Sequence, residues 1–146
     1  MAAPELRTRA DVVRFLLARF KHRRFPARVH VSIIRRLVRH ARLAPNGCIV
    51  WPLARDGNGY GKLNVRLLGE HFQFRVHRLA EWLGNDPEDV PKWMEVAHVE
   101  CDNPPCFHPD HIGRQKRRDN RARSAERTNA KKRGEIPREC ELRKAA

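Results

Sequence analysis

Within eleven residues the chain sets out Cys101, Cys106 and His111 at even intervals, C-x4-C-x4-H, in a stretch turned by Pro104, Pro105 and Pro109. Two thiolates and an imidazole at this spacing suit a tetrahedral zinc ion, which wants a fourth ligand when its role is structural. Cys48, directly after the Asn46-Gly47 turn, is the candidate, and a metal held this way ties an early strand to a late loop. Such a tie matters because residues 45–112, the least basic part of the chain, number only 68. A core of that size is marginal alone, and a structural zinc contributes folding free energy of order 10 kcal/mol. The chain has four Cys, and its first residues lack the apolar run of a secretory signal, so metal ligation is a better reading than disulfides. Cys140 has no partner nearby and reads as a free thiol.

Charge divides the chain into three parts. Residues 1–44 carry net +10, residues 45–112 net −4 and residues 113–146 net +8, within a total of +14. A mildly acidic centre between two basic arms favours a polyanionic partner, and the excess of Arg over Lys points to phosphate. DNA is the expected partner, with the arms setting affinity and register on the backbone. No apolar run reaches the ~18 residues of a membrane span. The expectation is an intracellular, soluble protein, cytoplasmic or nucleoid-associated.

The expected organisation is a basic helical extension over 1–44, a central domain over 45–125 and a basic tail over 126–146. Thr8 and Asp11 form a capping box ahead of a helix from about Arg9 to Lys21. Pro26 breaks the pattern, and Ser32 caps a second helix whose apolar face is Ile33, Ile34, Leu37, Val38 and Ala41. These helices suit either a DNA reader, a packing extension or a dimer contact. In the centre, Cys48 to Trp51 reads as a strand, Asp56 to Gly61 as a glycine-rich turn, and the alternation of Leu63, Val65, Leu67 with Phe72, Phe74, Val76 as a hairpin. His77 to Leu83 reads as a short helix, Asn85 to Pro87 as a turn, Met94 to His98 as a strand, and the Arg-rich stretch from about Arg114 to Arg127 as a helix. His77 is expected to be packed, and Trp51, Trp82 and Trp93 to serve packing rather than base stacking.

Asn46, Gly47, Cys48, Trp51, the Gly59-Tyr60-Gly61 turn, the block Val76 to Ala80, His98, Cys101, Asn103-Pro104, Cys106, Pro109, His111, Ile112, Asp119 and Asn120 occur in an order that resembles the zinc-loop HNH endonucleases. These include the His-Cys box homing endonucleases and many phage HNH proteins. The resemblance covers about residues 46–123. It implies an α+β fold with a ββα-metal (His-Me finger) core, a β-hairpin and a structural zinc loop, flanked by the helical extension and a basic helix and tail. It implies that His98 is the general base, that Asn120 ligates a catalytic Mg²⁺ or similar cation, and that Cys48, Cys101, Cys106 and His111 hold zinc. The implied reaction is cleavage of DNA, as a nickase or a double-strand cutter, to a 5′-phosphate and a 3′-hydroxyl.

The chemistry agrees: hydrolysis near neutral pH needs an imidazole-like base and a cation against developing phosphorane charge. Arg66, Arg75 and Arg78 lie on or beside the hairpin, where one of them would touch the scissile phosphate as in relatives. Arg117, Arg118 and Arg121 are candidates for the phosphate backbone. The chain departs from the family pattern at three places. Val99 and Glu100 stand between His98 and Cys101 where one residue is usual, Ala97 stands where many relatives have Asp, and His108 stands where Asn is common. An added strand residue reverses the face of its neighbour unless a bulge absorbs it. The competing expectation is a non-catalytic, zinc-stapled nucleic-acid-binding protein on the same fold.

Overall fold

The computed structural model describes residues 5–84, 94–98, 101 and 103–134; Trp93, Val99, Glu100, Cys140 and the expected turn at 85–87 lie outside them. The order is α1 (Arg9–Arg19), α2 (Ala27–His40), β1 (Arg42–Leu43), β2 (Ile49–Val50), β3 (Lys62–Leu67), β4 (Glu70–Arg75), α3 (Val76–Gly84), β5 (Met94–His98), β6 (Ile112–Lys116) and α4 (Arg117–Lys132). The fold is mixed α+β, with three antiparallel two-stranded sheets, β1–β2, β3–β4 and β5–β6.

The capping box forms as the sequence predicts: Thr8 Oγ1 accepts from the Asp11 amide, and Asp11 accepts from the Thr8 amide. Helix α2 differs from expectation. It starts directly after Pro26, with Ser32 inside it. Proline suits a helix start because its fixed φ is already helical and the first turn has no use for its missing N–H. The apolar face of α2 is nonetheless the expected one, with Ile33 and Leu37 buried.

One core joins the helices to the centre. Val12 and Leu16 of α1, Ile33 and Leu37 of α2, Leu63 and Val65 of β3, Leu79 and Leu83 of α3, Val96, Phe107 and Trp51 form a single buried cluster. The β3–β4 hairpin turns through Leu68 and Gly69, both at positive φ (51° and 81°). That is the requirement of a two-residue turn whose twist matches its strands. Val76, expected to end the strand alternation, instead starts α3 and is buried.

Strand β6 is a further departure. Residues 112–116, expected as loop and helix start, pair with β5 from Met94↔Lys116 to His98↔Ile112. Arg114 lies opposite Val96 in this register and its Nε donates to Glu81 Oε1 on α3 at 3.1 Å. The face of the hairpin bearing Val96, Arg114 and His98 therefore looks toward α3, and the alternate face, with Glu95 and Ala97, lies on the opposite side of β5.

Candidate metal centre and the histidine cluster

Local backbone geometry gathers the three thiols and His111. Gly47 sits at φ +84°, and Asn46 Oδ1 accepts from the Cys48 amide at 3.1 Å, which turns Cys48 inward at the start of β2. The chain then pairs with the proline-rich loop: the Trp51 amide donates to Pro105 O at 2.9 Å and the Phe107 amide to Ile49 O at 2.8 Å. This brings Cys106 beside Cys48. The ligand atoms of Cys48, Cys101, Cys106 and His111 all lie within 4.8 Å of one another.

These four side chains could hold a metal ion, and their geometry fits one. Cys48 Sγ and Cys106 Sγ each lie 3.6 Å from His111 Nδ1. Bonds of about 2.3 Å to sulfur and about 2.05 Å to nitrogen, at a tetrahedral angle, put S and N about 3.6 Å apart. Cys48 and Cys106 are fully buried.

The three sulfurs hydrogen-bond to one another, and these bonds set their protonation. Hydrogen bonds from Cys101, then Cys106, draw the Cys48 thiol down to about 2 against burial. Cys106 also donates to Cys101, yet Cys101 is pushed up to about 12 because it donates to Cys48 and is itself buried. Burial raises Cys106 well above the ordinary thiol value, and its bonds to the other two sulfurs add to this. Buried thiols that keep protons beside a thiolate are the arrangement a divalent cation would displace.

His108 is not part of this set. It is buried, its Nδ1 accepts from the Asp110 amide at 3.1 Å, and its ring stacks on His111 at 4.2 Å. Burial, then His111, lowers it to about 4, so it is a neutral plate behind a ligand. Arg19 on α1 bonds Asp110 at 2.7 Å and pins the same loop from outside.

His98 ends β5, buried, with Nε2 2.7 Å from the Cys106 carbonyl oxygen. A carbonyl only accepts, so Nε2 carries the proton and a neutral ring has its lone pair on Nδ1. The His77 ring lies 4.8 Å away and Tyr60 stacks at 5.7 Å. His77 is packed, as expected: its Nε2 lies 3.3 Å from Val96 O. Burial, then the neighbouring His98, lowers it well below the ordinary imidazole value. Motif reading places Tyr60 in the glycine-rich turn without giving its ring a role. Tyr60 is positioned by Asp56, whose Oδ1 accepts from the Asn58 and Tyr60 amides, with Gly59 at φ +87° supplying the turn. Arg75 lies over the Tyr60 ring at 4.4 Å and bonds Asp56 Oδ2 at 3.1 Å. Of the three hairpin arginines, Arg75 thus belongs to the histidine cluster, whereas Arg66 and Arg78 are exposed.

Asn120 stands in the first turn of α4, and its Nδ2 donates to Glu95 Oε1 at 3.0 Å. His98 and Asn120 are therefore held by different partners: His98 by Cys106, His77 and Tyr60, and Asn120 by Glu95. Arg117, Arg118 and Arg121 are exposed on α4. A basic groove of about 520 Å³ runs between α2 and the β3–β4 hairpin, lined by Arg28, Ser32, Arg36, Arg66 and His71 among others, with no acidic residue in its wall. Trp51 is fully buried, as expected, and packs edge-on against Phe107.

No model of a known protein family matches the chain, and neither does any curated protein or solved structure. Among the described residues, no helix is long and apolar enough to cross a membrane.

Proposed function

We propose that this chain is a metal-dependent DNA endonuclease of the zinc-loop HNH type. On this reading β5, β6 and α4 are the ββα-metal core, and the Cys48, Cys101, Cys106 and His111 centre holds structural zinc. The observation that carries the proposal is the bond from His98 Nε2 to the Cys106 carbonyl. It fixes one tautomer of a buried imidazole, with the proton on Nε2 and the lone pair on Nδ1, the form from which a general base acts.

In the proposed reaction His98 Nδ1 takes a proton from water as its oxygen bonds to phosphorus. The P–O3′ bond breaks, a 5′-phosphate is left, and the departing oxygen takes a proton from solvent water to become a 3′-hydroxyl, while His98 returns its proton to solvent. Tyr60 and His77 hold the base ring in place. Arg75, the hairpin guanidinium that lies over the Tyr60 ring, is the candidate to meet the scissile phosphate. Asn120 offers an amide oxygen to Mg²⁺, a hard cation that takes oxygen ligands and keeps several waters. When bound, Mg²⁺ supplies positive charge against the developing phosphorane and the leaving oxygen. The basic groove, the exposed arginines of α4 and the total charge of +14 support duplex DNA as substrate.

The competing reading is a non-catalytic binder on the same fold. Ala97, which offers no ligand, and the engagement of the Asn120 amide with Glu95 favour it. A supercoiled-plasmid assay with Mg²⁺, an EDTA control and the variants His98→Ala and Asn120→Ala separates the two. Mg²⁺-dependent nicking or linearisation that both variants lose is the expected result. Undiminished cutting by both variants would sink the assignment, and salt-sensitive binding without cleavage would favour the binder.

A further inference from the structure

A cavity of about 620 Å³ opens between the turn at 56–61, the β3–β4 hairpin and α3. It is of the size that takes small-molecule ligands, and neither His98 nor Asn120 is in its wall. Its charge is unbalanced. Lys62 and Arg75 stand directly opposite each other in the β3–β4 register, and Arg78 follows in the first turn of α3; all three line the cavity. Like charges across a strand pair destabilise the pair, so the arrangement calls for an anion. The one carboxylate in the wall is that of Asp56, and it is committed: Oδ1 accepts from two turn amides and Oδ2 from Arg75. Among the described residues, no carboxylate lies within 4.0 Å of the charged group of Lys62 or of Arg78.

The rest of the wall says which anion. Phe74 and Trp82 meet edge-on with ring centroids 5.8 Å apart. Trp82, expected to serve packing, does more than that: it is half-buried, packing against the core while also lining the cavity. Gln73 adds a side-chain amide. Its Nε2 donates to Asn64 Oδ1 at 3.2 Å, a bond in which its own carbonyl oxygen takes no part. Cations for a phosphate, an aromatic surface for a planar ring and an amide for the edge of that ring are together the chemistry that recognises a nucleotide.

We propose that this cavity is a nucleotide subsite, in which Lys62 and Arg78 take a phosphate and Trp82 takes the base. The subsite itself does not depend on cleavage. Its natural occupant rests on the endonuclease reading: a nucleotide of a DNA strand, beside the one being cut. Arg75 lines the cavity and lies over Tyr60 at 4.4 Å, whose ring stacks on His98, so the cavity and the histidine cluster share a wall. A base reaches Trp82 only once it has left its stack, so DNA with an extrahelical nucleotide is held more tightly here than a perfect duplex.

The test uses the full chain, zinc-loaded and without added Mg²⁺, with deoxyadenosine 5′-monophosphate and inorganic phosphate as probes in titration calorimetry. The nucleotide is expected to bind about tenfold or more tighter than inorganic phosphate, a preference that Trp82→Leu loses. The double variant Lys62→Gln, Arg78→Gln is expected to bind the nucleotide about tenfold or more weakly. It alters one partly exposed and one exposed side chain, so it decides the matter if Trp82→Leu does not fold. Equal affinity of wild type and the double variant for the nucleotide overturns the proposal, as does a wild type that shows no preference for it over inorganic phosphate. A short duplex with and without one extrahelical adenine separates the sources. Tighter binding of the bulged duplex that the double variant loses assigns the cavity to a DNA strand, and equal binding of the two duplexes overturns that occupant. The plasmid assay keeps the two readings apart. A wild type that does not cut but binds the nucleotide through Lys62 and Arg78 retains the subsite without the nuclease. A wild type that cuts while the double variant binds the nucleotide undiminished retains the nuclease without the subsite.

Discussion

Leu68 shows how a single residue can be held against its preference. It occupies the left-handed region at φ 51° with its side chain 92% exposed, so it bears the steric cost of that conformation without packing in return. Such a conformation costs an ordinary residue about 1–2 kcal/mol. Leu68→Asn should therefore stabilise the fold by about 0.5–1 kcal/mol, measured as a shift in the urea midpoint at constant slope. Gly61 is the opposite case. A Cβ there would lie 2.8 Å from Trp51 Cδ1, and the indole is locked in the core, so Gly61→Ala should cost about 1–3 kcal/mol in the same experiment. The glycine at 61 is legible in the sequence only as part of a turn. Its reason, the close approach of Trp51, depends on a residue ten positions earlier and needs the folded chain.

At the scale of elements, the sequence announces some features and conceals others. The capping box of α1, the β3–β4 alternation and the ligand spacing are local patterns, and each is present in the structure. Strand β6 is not such a pattern. Ile112 is its one buried residue, and Arg114 and Lys116 look like the start of the Arg-rich helix until pairing with β5 is known. The start of α2 directly after Pro26 is concealed because proline breaks a helix far more often than it opens one. The fourth ligand, Cys48, is legible from its turn, whereas the bond from His98 to Cys106 is not, because the direction of a loop carbonyl is set by tertiary pairing. The thiol centre connects these elements, and its removal should be felt by all of them. With zinc bound, a strong chelator should lower the melting temperature and abolish a cooperative transition, and Cys48→Ser should do the same without chelator. Metal analysis beside thermal unfolding checks this. A chain that melts unchanged with its metal removed would show the centre to be dispensable.

For the whole molecule, charge is the property with the longest reach. The groove between α2 and β3–β4 carries Arg28 and Arg66 without an acid in its wall, and α4 adds exposed arginines on another element. If these meet phosphates, each loss removes counterion release. The double variant Arg28→Ala, Arg66→Ala should reduce the slope of log affinity against log salt by about 2 on duplex DNA, nearly alike for all sequences. Fluorescence anisotropy across a salt series reads this directly, and an unchanged slope would remove the groove from the interface. The three-part charge pattern was visible in the sequence from the start. Which arginines share a wall was not, since residues 28 and 66 become neighbours only when the hairpin folds over α2.

Cys106 has two tasks in this molecule. Its sulfur belongs to the thiol centre and its carbonyl oxygen holds His98. In the proposed enzyme, cofactor status and catalytic competence would then be written on one residue. A chain oxidised at its thiols, or synthesised where zinc is scarce, would lose the alignment of its base together with its staple. For a protein able to break DNA this amounts to a safety catch: an incompletely assembled copy would be a harmless one.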